Sequence, residues 1–187
     1  MANIMIDKTL PQGAISEVFG GRSSGKTALL HAFLAEATGA GECCAVVDVR
    51  NAFDPFSAAQ NGVDLRKLLW VRGSGRVDQA FKSVDMLIHA GGFGVVVLDL
   101  CDVEPQQLNR IPLSYWYRFR LAVQNTPTRL IVTGEVPLAK SCSRMRLETA
   151  RQRIEWKGPV LDGIVSLALE RKGRPGIAPE VRLPMVG

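Results

Sequence analysis

Residues Gly20 to Thr27 read Gly-Gly-Arg-Ser-Ser-Gly-Lys-Thr, a glycine-bracketed octapeptide between two apolar segments of different period. Before it, Ala14 to Phe19 reads as a strand. After it, Lys26 to Thr38 reads as a helix with Leu29, Leu30, Phe33 and Leu34 on one stripe. Glycines let successive backbone N–H groups turn inward around an anion, and the helix N-terminus adds a positive partial charge. The octapeptide fits GxxxxGK[ST], and its strand–loop–helix setting is the context that pattern needs. In such a loop Lys26 supplies a point charge for the β and γ phosphates, and Thr27 can ligate Mg²⁺. Gly20, Gly21, Arg22, Ser23, Ser24, Gly25, Lys26 and Thr27 are therefore expected to hold ATP with Mg²⁺.

Strand and helix signals alternate along the rest of the chain. Cys44 to Val49 and Val95 to Leu100 are continuous apolar runs of the kind buried on both faces of a parallel sheet. Leu68 to Val71 and Arg129 to Thr133 are further strands. Pro55 to Asn61, Val77 to His89 and Pro112 to Gln124 read as helices. Met145 to Glu155 and Gly163 to Glu170 show β-like alternation and suggest an antiparallel extension. The expected fold is α/β, a mainly parallel sheet flanked by helices with antiparallel strands at the C-terminal end. No boundary divides it, so residues 1–187 read as one domain.

A phosphate loop needs an acid at the end of a neighbouring buried strand. Asp99 closes the strongest apolar run and is expected to hold Mg²⁺ with Thr27, Asp102 and Glu104 being weaker alternatives. Net charge is +5, and it is unevenly placed: residues 1–139 carry 13 basic and 13 acidic residues, residues 140–187 ten and five. A basic final third suits a polyanion or is simply a solvated surface. The four cysteines form no CxxC pair. Cys43, Cys44 and Cys101 read as small buried hydrophobes in a reducing, cytoplasmic protein. No apolar run is long enough to span a bilayer, and no signal peptide is expected before the first strand. His31 and His89 have no metal-ligating partner at i+4.

Several separated segments together resemble the RecA ATPase core: Leu10-Pro11-Gln12-Gly13, the loop Gly20–Thr27, Val47 to Pro55, Gly62 to Leu69, and Val95–Asp99. The resemblance covers residues 10–100 well and continues more loosely to about 175. It implies a RecA-type core with Asp54 at the nucleotide site and Lys172 as a phosphate contact to a neighbouring subunit. It also places two short DNA-binding loops, between Cys101 and Pro112 and between Val136 and Arg146. Lys140, Arg144 and Arg146 of the second are the expected single-stranded DNA contacts.

Departures from the family pattern shift the expected activity. The family's water-activating Glu falls at Arg50, and a guanidinium is no general base near neutral pH. The adenine-stacking Tyr falls at Ser57, beside Phe56, and Arg22 stands where Glu is usual. Glu135 is a weak alternative base at the nucleotide edge of the sheet, and Glu17 a poorer one. The N-terminal polymerisation arm and the C-terminal domain are expected to be missing. With these losses the chain looks most like the ImuA group, RecA-like proteins of damage-induced mutagenesis. That likeness implies a partner of the ImuB type, a polymerase relative in translesion synthesis. Trp116, Tyr117, Arg118 and Arg120 are the expected partner contacts, since aromatic and Arg side chains favour interfaces.

Overall fold

Strands rich in Val, Ile and Leu form the centre of the fold, because side chains of that shape pack on both faces of a pleated sheet. The computed structural model describes residues 10–157, 160–170 and 180–184. In chain order the elements are β1 (Ala14–Phe19), α1 (Lys26–Gly39), β2 (Cys43–Asp48), α2 (Pro55–Gln60) and β3 (Leu68–Arg72). There follow α3 (Val77–Ala90), β4 (Phe93–Asp99), α4 (Pro105–Asn109), α5 (Leu113–Val123) and β5 (Arg129–Gly134). Strands β6 (Ser143–Lys157), β7 (Val160–Glu170) and β8 (Glu180–Pro184) complete the set.

These strands make one sheet in the order β3-β2-β4-β5-β1-β6-β7-β8. Each pairing from β3 through β6 is parallel, while β7 and β8 are antiparallel additions. The α/β fold expected from the sequence is therefore present, with one correction. The antiparallel extension begins only at β7, because β6 pairs parallel with β1 from Ile15–Ser143 to Phe19–Glu148. A strand that is polar on alternate positions still takes a parallel place here.

Two apolar layers sandwich the sheet. On one face, α1 packs Leu29, Leu30, Phe33 and Leu34 against Val18, Val46, Val97 and Ile131. On the other, α3 and α5 bring Phe81, Val84, Trp116, Phe119 and Val123 against Ile15, Val47, Leu98 and Leu130. Helix α3 shows the clearest inward stripe, at Ala80, Phe81, Val84 and Ile88. Phe81 stacks on Phe119 with ring centroids 5.4 Å apart and meets Trp116 edge-on at 5.1 Å.

Trp116 is thus a core residue, 2% exposed, and its expected place in a partner patch is corrected. The helical period explains it: 116, 119 and 123 share the buried face, leaving Tyr117, Arg118 and Arg120 outside. Cys43 is likewise corrected. It is exposed at the first residue of β2, whereas Cys44 is buried and its thiol is pushed up to about 12 by burial.

The connection from β5 to β6 carries no α-helix. Residues 135–142 cross the face beside α5 as a strap ending in a single 3-10 turn, Lys140–Cys142. Leu138, Ala139 and Cys142 of this strap join the second apolar layer. Among the described residues, no helix is long and apolar enough to cross a membrane.

Candidate nucleotide site

The phosphate loop leaves the C-terminal end of β1, where the ends of β4 and β5 lie alongside. Its turn requires unusual backbone conformations. Gly25 has φ 92° and Ser23 φ 56°, both left-handed. Gly20 is tied by a close approach: a Cβ there would lie 2.3 Å from the Thr149 carbonyl oxygen. Thr149, on β6, anchors the loop from the other side. Its hydroxyl lies 2.7 Å from Ser24 Oγ and donates to the Phe19 carbonyl at 3.2 Å. Sequence reasoning missed Thr149, which stands 125 positions from Ser24 in the chain.

Lys26 opens α1 and is almost fully buried. Its Nζ donates to the carbonyl oxygens of Gly20 at 2.6 Å and Gly21 at 2.7 Å. The ammonium is therefore held over the concave side of the loop. A phosphate oxygen, being charged, is a stronger acceptor than these neutral carbonyls. Thr27 is exposed beside it, and the first turn of α1 contains no acidic residue. The residues present fit a nucleotide phosphate: donors converge at a helix N-terminus with a buried cation among them.

Asp99 stands at the C-terminal end of β4, in register with Thr133 of β5 and with Asp48 of β2. Its Oδ1 accepts from the Thr133 hydroxyl at 2.6 Å and from the Cys101 N–H at 3.0 Å. Both bonds fix the carboxylate without neutralising it. Cys101 beside it is no nucleophile, since burial and the Asp99 charge push its thiol upward.

The other expected site residues divide. Glu135 lies at the mouth with Gly21, Arg22, Asp102 and Glu104, lining an open cleft of about 520 Å³. Across that mouth Arg22 Nη2 pairs with Asp102 Oδ1 at 2.5 Å, which raises the guanidinium pKa further. Asp54 is the N-cap of α2, accepting from the Phe56 and Ser57 N–H groups and from the Ser57 hydroxyl. These bonds hold its pKa below the usual carboxylate range. Phe56 is exposed beside it. Asp48 is buried, accepting from Phe53 N–H and Trp70 Nε1, so it orders the turn that carries Arg50. Arg50 itself reaches toward Gly75 in the loop after β3, with a terminal nitrogen 3.9 Å from where a Gly75 Cβ would stand.

The RecA N-terminal domain model matches residues 4–106 of this sequence. The chain belongs to the RecA family. Protein RecA of Laribacter hongkongensis (strain HLHK9) is 42% identical over 90 residues, which is 48% of this chain and 25% of that protein. The chain thus spans about a quarter of the length of the RecA relative it matches. The matched segment carries β1, the phosphate loop, α1 and β4 with Asp99, so the family's core corresponds to the geometry just described.

The second expected DNA loop is rearranged. Glu17, 2% exposed in the middle of β1, accepts from the Leu138 N–H at 2.5 Å and the Ala139 N–H at 2.7 Å. Its other oxygen takes Arg146 Nε at 3.1 Å, and Arg146 also donates to the Lys140 carbonyl. Arg146 is thereby corrected from a free strand contact to a buttress of the strap. A second pairing of Glu17 explains why this charge can sit in an apolar layer: both its oxygens are satisfied. The same bonds commit Glu17 to the strap and to Arg146. Lys140 and Arg144 remain exposed. Lys172 lies outside the described residues.

Proposed function

We propose that this chain is a cytoplasmic, RecA-like nucleotide-binding accessory protein of the DNA damage response. It binds ATP with Mg²⁺ through the phosphate loop and Asp99, and turns it over slowly or not at all. The observation that carries this reading is the pairing of an intact phosphate site with Arg50 at the position of the family's base. Lys26 and Asp99 lie at the C-terminal edge of the sheet, and Arg50, two residues past Asp48 at that edge, has a terminal nitrogen near Gly75 in the loop after β3. Losing a positioned base costs about 10²–10⁴ in rate. The nucleotide then stabilises or switches the domain and is not spent on strand exchange.

Its setting is a translesion assembly induced with the SOS response, with an ImuB-type polymerase relative as partner and single-stranded DNA as a further ligand. Tyr117, Arg118 and Arg120 on the outer side of α5, and Lys140 and Arg144 beyond the strap, are the surface groups offered to these partners. Isothermal titration with ATP and Mg²⁺ tests the binding, and turnover with and without single-stranded DNA tests the chemistry. Saturable binding with negligible turnover is expected. Brisk DNA-stimulated hydrolysis would sink it.

A second reading has its own observation. Glu135 lines the same cleft as Gly21 and Arg22, where a base for an attacking water would stand. In that case the chain is an active DNA-dependent ATPase, and Glu135→Gln abolishes its turnover.

A further inference from the structure

At the opposite end of β1 from the phosphate loop, three elements enclose a recess of about 310 Å³. Gly13, Ala14 and Ile15 form its floor, Arg120 and Gln124 of α5 one wall, and Ser141 to Arg144 the other. Four residues of β1, Ser16 to Phe19, separate its floor from the phosphate loop, roughly 15 Å at the rise of a strand. It is a distinct place on the molecule.

Its electrostatics are one-sided. Among the described residues, Arg120 and Arg144 are the charged residues of its lining, with no carboxylate beside them. Most other arginines with described side chains are satisfied locally: Arg22 by Asp102, Arg66 by Asp64, Arg76 by Asp78, Arg118 by Asp85, and Arg146 by Glu17. Among the described residues, Arg120 and Arg144 have no ion pair and no side-chain hydrogen bond. Both arginines line the one recess, so an anion seated there would meet two guanidinium groups. Gln124, Ser141 and Ser143 add polar groups to the same lining. Glu17 makes the arrangement possible: it neutralises Arg146 on the inner face and pins the strap that carries Ser141 to Arg144 to the recess wall.

We propose that this recess is a second anion site, built to take a phosphoryl group from a nucleic-acid strand or from a free phosphate ester. Guanidinium groups match phosphate oxygens in geometry as well as in charge. The inference deepens the DNA-contact reading above and rests on it only for the strand as phosphate carrier. Nucleotide binding at the phosphate loop is not involved.

The test uses the full chain with Lys26→Ala as background, which removes the buried cation of the phosphate loop. A fluorescein-labelled oligo(dT) is titrated by anisotropy from about 50 to 200 mM salt, and inorganic phosphate by calorimetry. Both arginines are exposed and unpaired, so Arg120→Gln/Arg144→Gln should melt like its parent. The double variant is expected to lower the slope of log K against log salt by about 1.4, at about 0.7 per lost single-strand contact. It should also remove the phosphate heat. Loss of the phosphate heat without any strand binding in the parent assigns the recess to a free phosphate ester and rejects the DNA-contact reading. Loss of strand binding without a phosphate heat assigns it to the strand. The proposal is overturned if the parent binds neither probe, or if the double variant keeps both. It is overturned equally if Arg110→Gln, an exposed arginine elsewhere, lowers the slope as much per charge removed.

Discussion

The Thr149 hydroxyl of β6 lies 2.7 Å from the Ser24 hydroxyl of the phosphate loop, and both are buried. Strand β6 therefore does more than extend the sheet. It is the wall against which the loop is shaped, with its carbonyl standing where any Gly20 side chain would have to go.

Thr149→Val keeps the shape and removes the hydroxyl. Ser24 Oγ is then buried without this partner, at a cost of about 1–3 kcal/mol. Urea unfolding should report that loss, and ATP affinity should fall with it. Thr149→Ser restores both. A Val variant with wild-type nucleotide affinity would show that the loop holds its shape without β6.

Glu17 is predicted to matter for stability rather than for chemistry. Glu17→Gln leaves the half-buried Arg146 without its counter-charge, and with the amide oxygen kept on the two strap N–H groups its N–H2 faces the guanidinium. Breaking a buried pair from one side costs about 3–5 kcal/mol, a large share of a domain's stability. The denaturation midpoint should drop accordingly. Glu17→Gln combined with Arg146→Met should recover part of the loss, because the orphaned charge is then gone. No recovery would mean that the backbone bonds to Leu138 and Ala139 carry the whole effect.

Local signals explain how far the sequence could be read. The strand, glycine loop and helix from Ala14 to Gly39 are contiguous, so period and composition reveal them together. Asp99 is legible because it closes an apolar run. The contacts that shape the site are of another kind. Ser24 meets Thr149, Glu17 meets Arg146 and Arg22 meets Asp102 across 125, 129 and 80 positions. Nothing in local pattern specifies such pairs. Arg146 shows the consequence: by composition it belongs with Lys140 and Arg144 in a basic loop, yet the register of β6 on β1 sets it opposite the buried Glu17. Trp116 is a different case, since the helical phase of 116, 119 and 123 already distinguishes it from Tyr117.

His31 gives the fold a pH dependence. The ring is buried on α1, edge-on to Phe53 at 5.8 Å, with Nδ1 beside Asn61 Nδ2 at 3.2 Å and Nε2 unpartnered. Burial lowers its pKa from 6.5, and the nearby Asp54 only partly opposes this. The unfolded chain takes up a proton near 6.5 that the folded ring resists. Its contribution is thus complete above that pH and lost as pH falls below it. Thermal melts from about pH 7.5 to 5.5 should show a falling midpoint. His31→Leu should flatten that slope, and an unchanged slope would assign the dependence to other groups.

Arg22 and Asp102 make an exposed pair across the mouth of the nucleotide cleft, with Arg22 Nε and Nη2 both donating to one carboxylate oxygen. Exposed pairs contribute little to stability, so Asp102→Asn should leave the melting temperature unchanged. Its effect should appear in binding. Asp102 competes with any phosphate for the guanidinium, and a neutral Asn competes weakly. Once released, Arg22 adds a cation at the tip of the loop that Lys26 already commands. ATP affinity is therefore expected to rise about three- to tenfold, which corresponds to about 0.7–1.4 kcal/mol, and the gain should shrink as salt is added. Arg22→Gln should bind ATP more weakly than wild type, and in that background Asp102→Asn should give no gain. A gain that persists without Arg22 would mean that removing a negative charge from the cleft is enough, with no part for the pair itself.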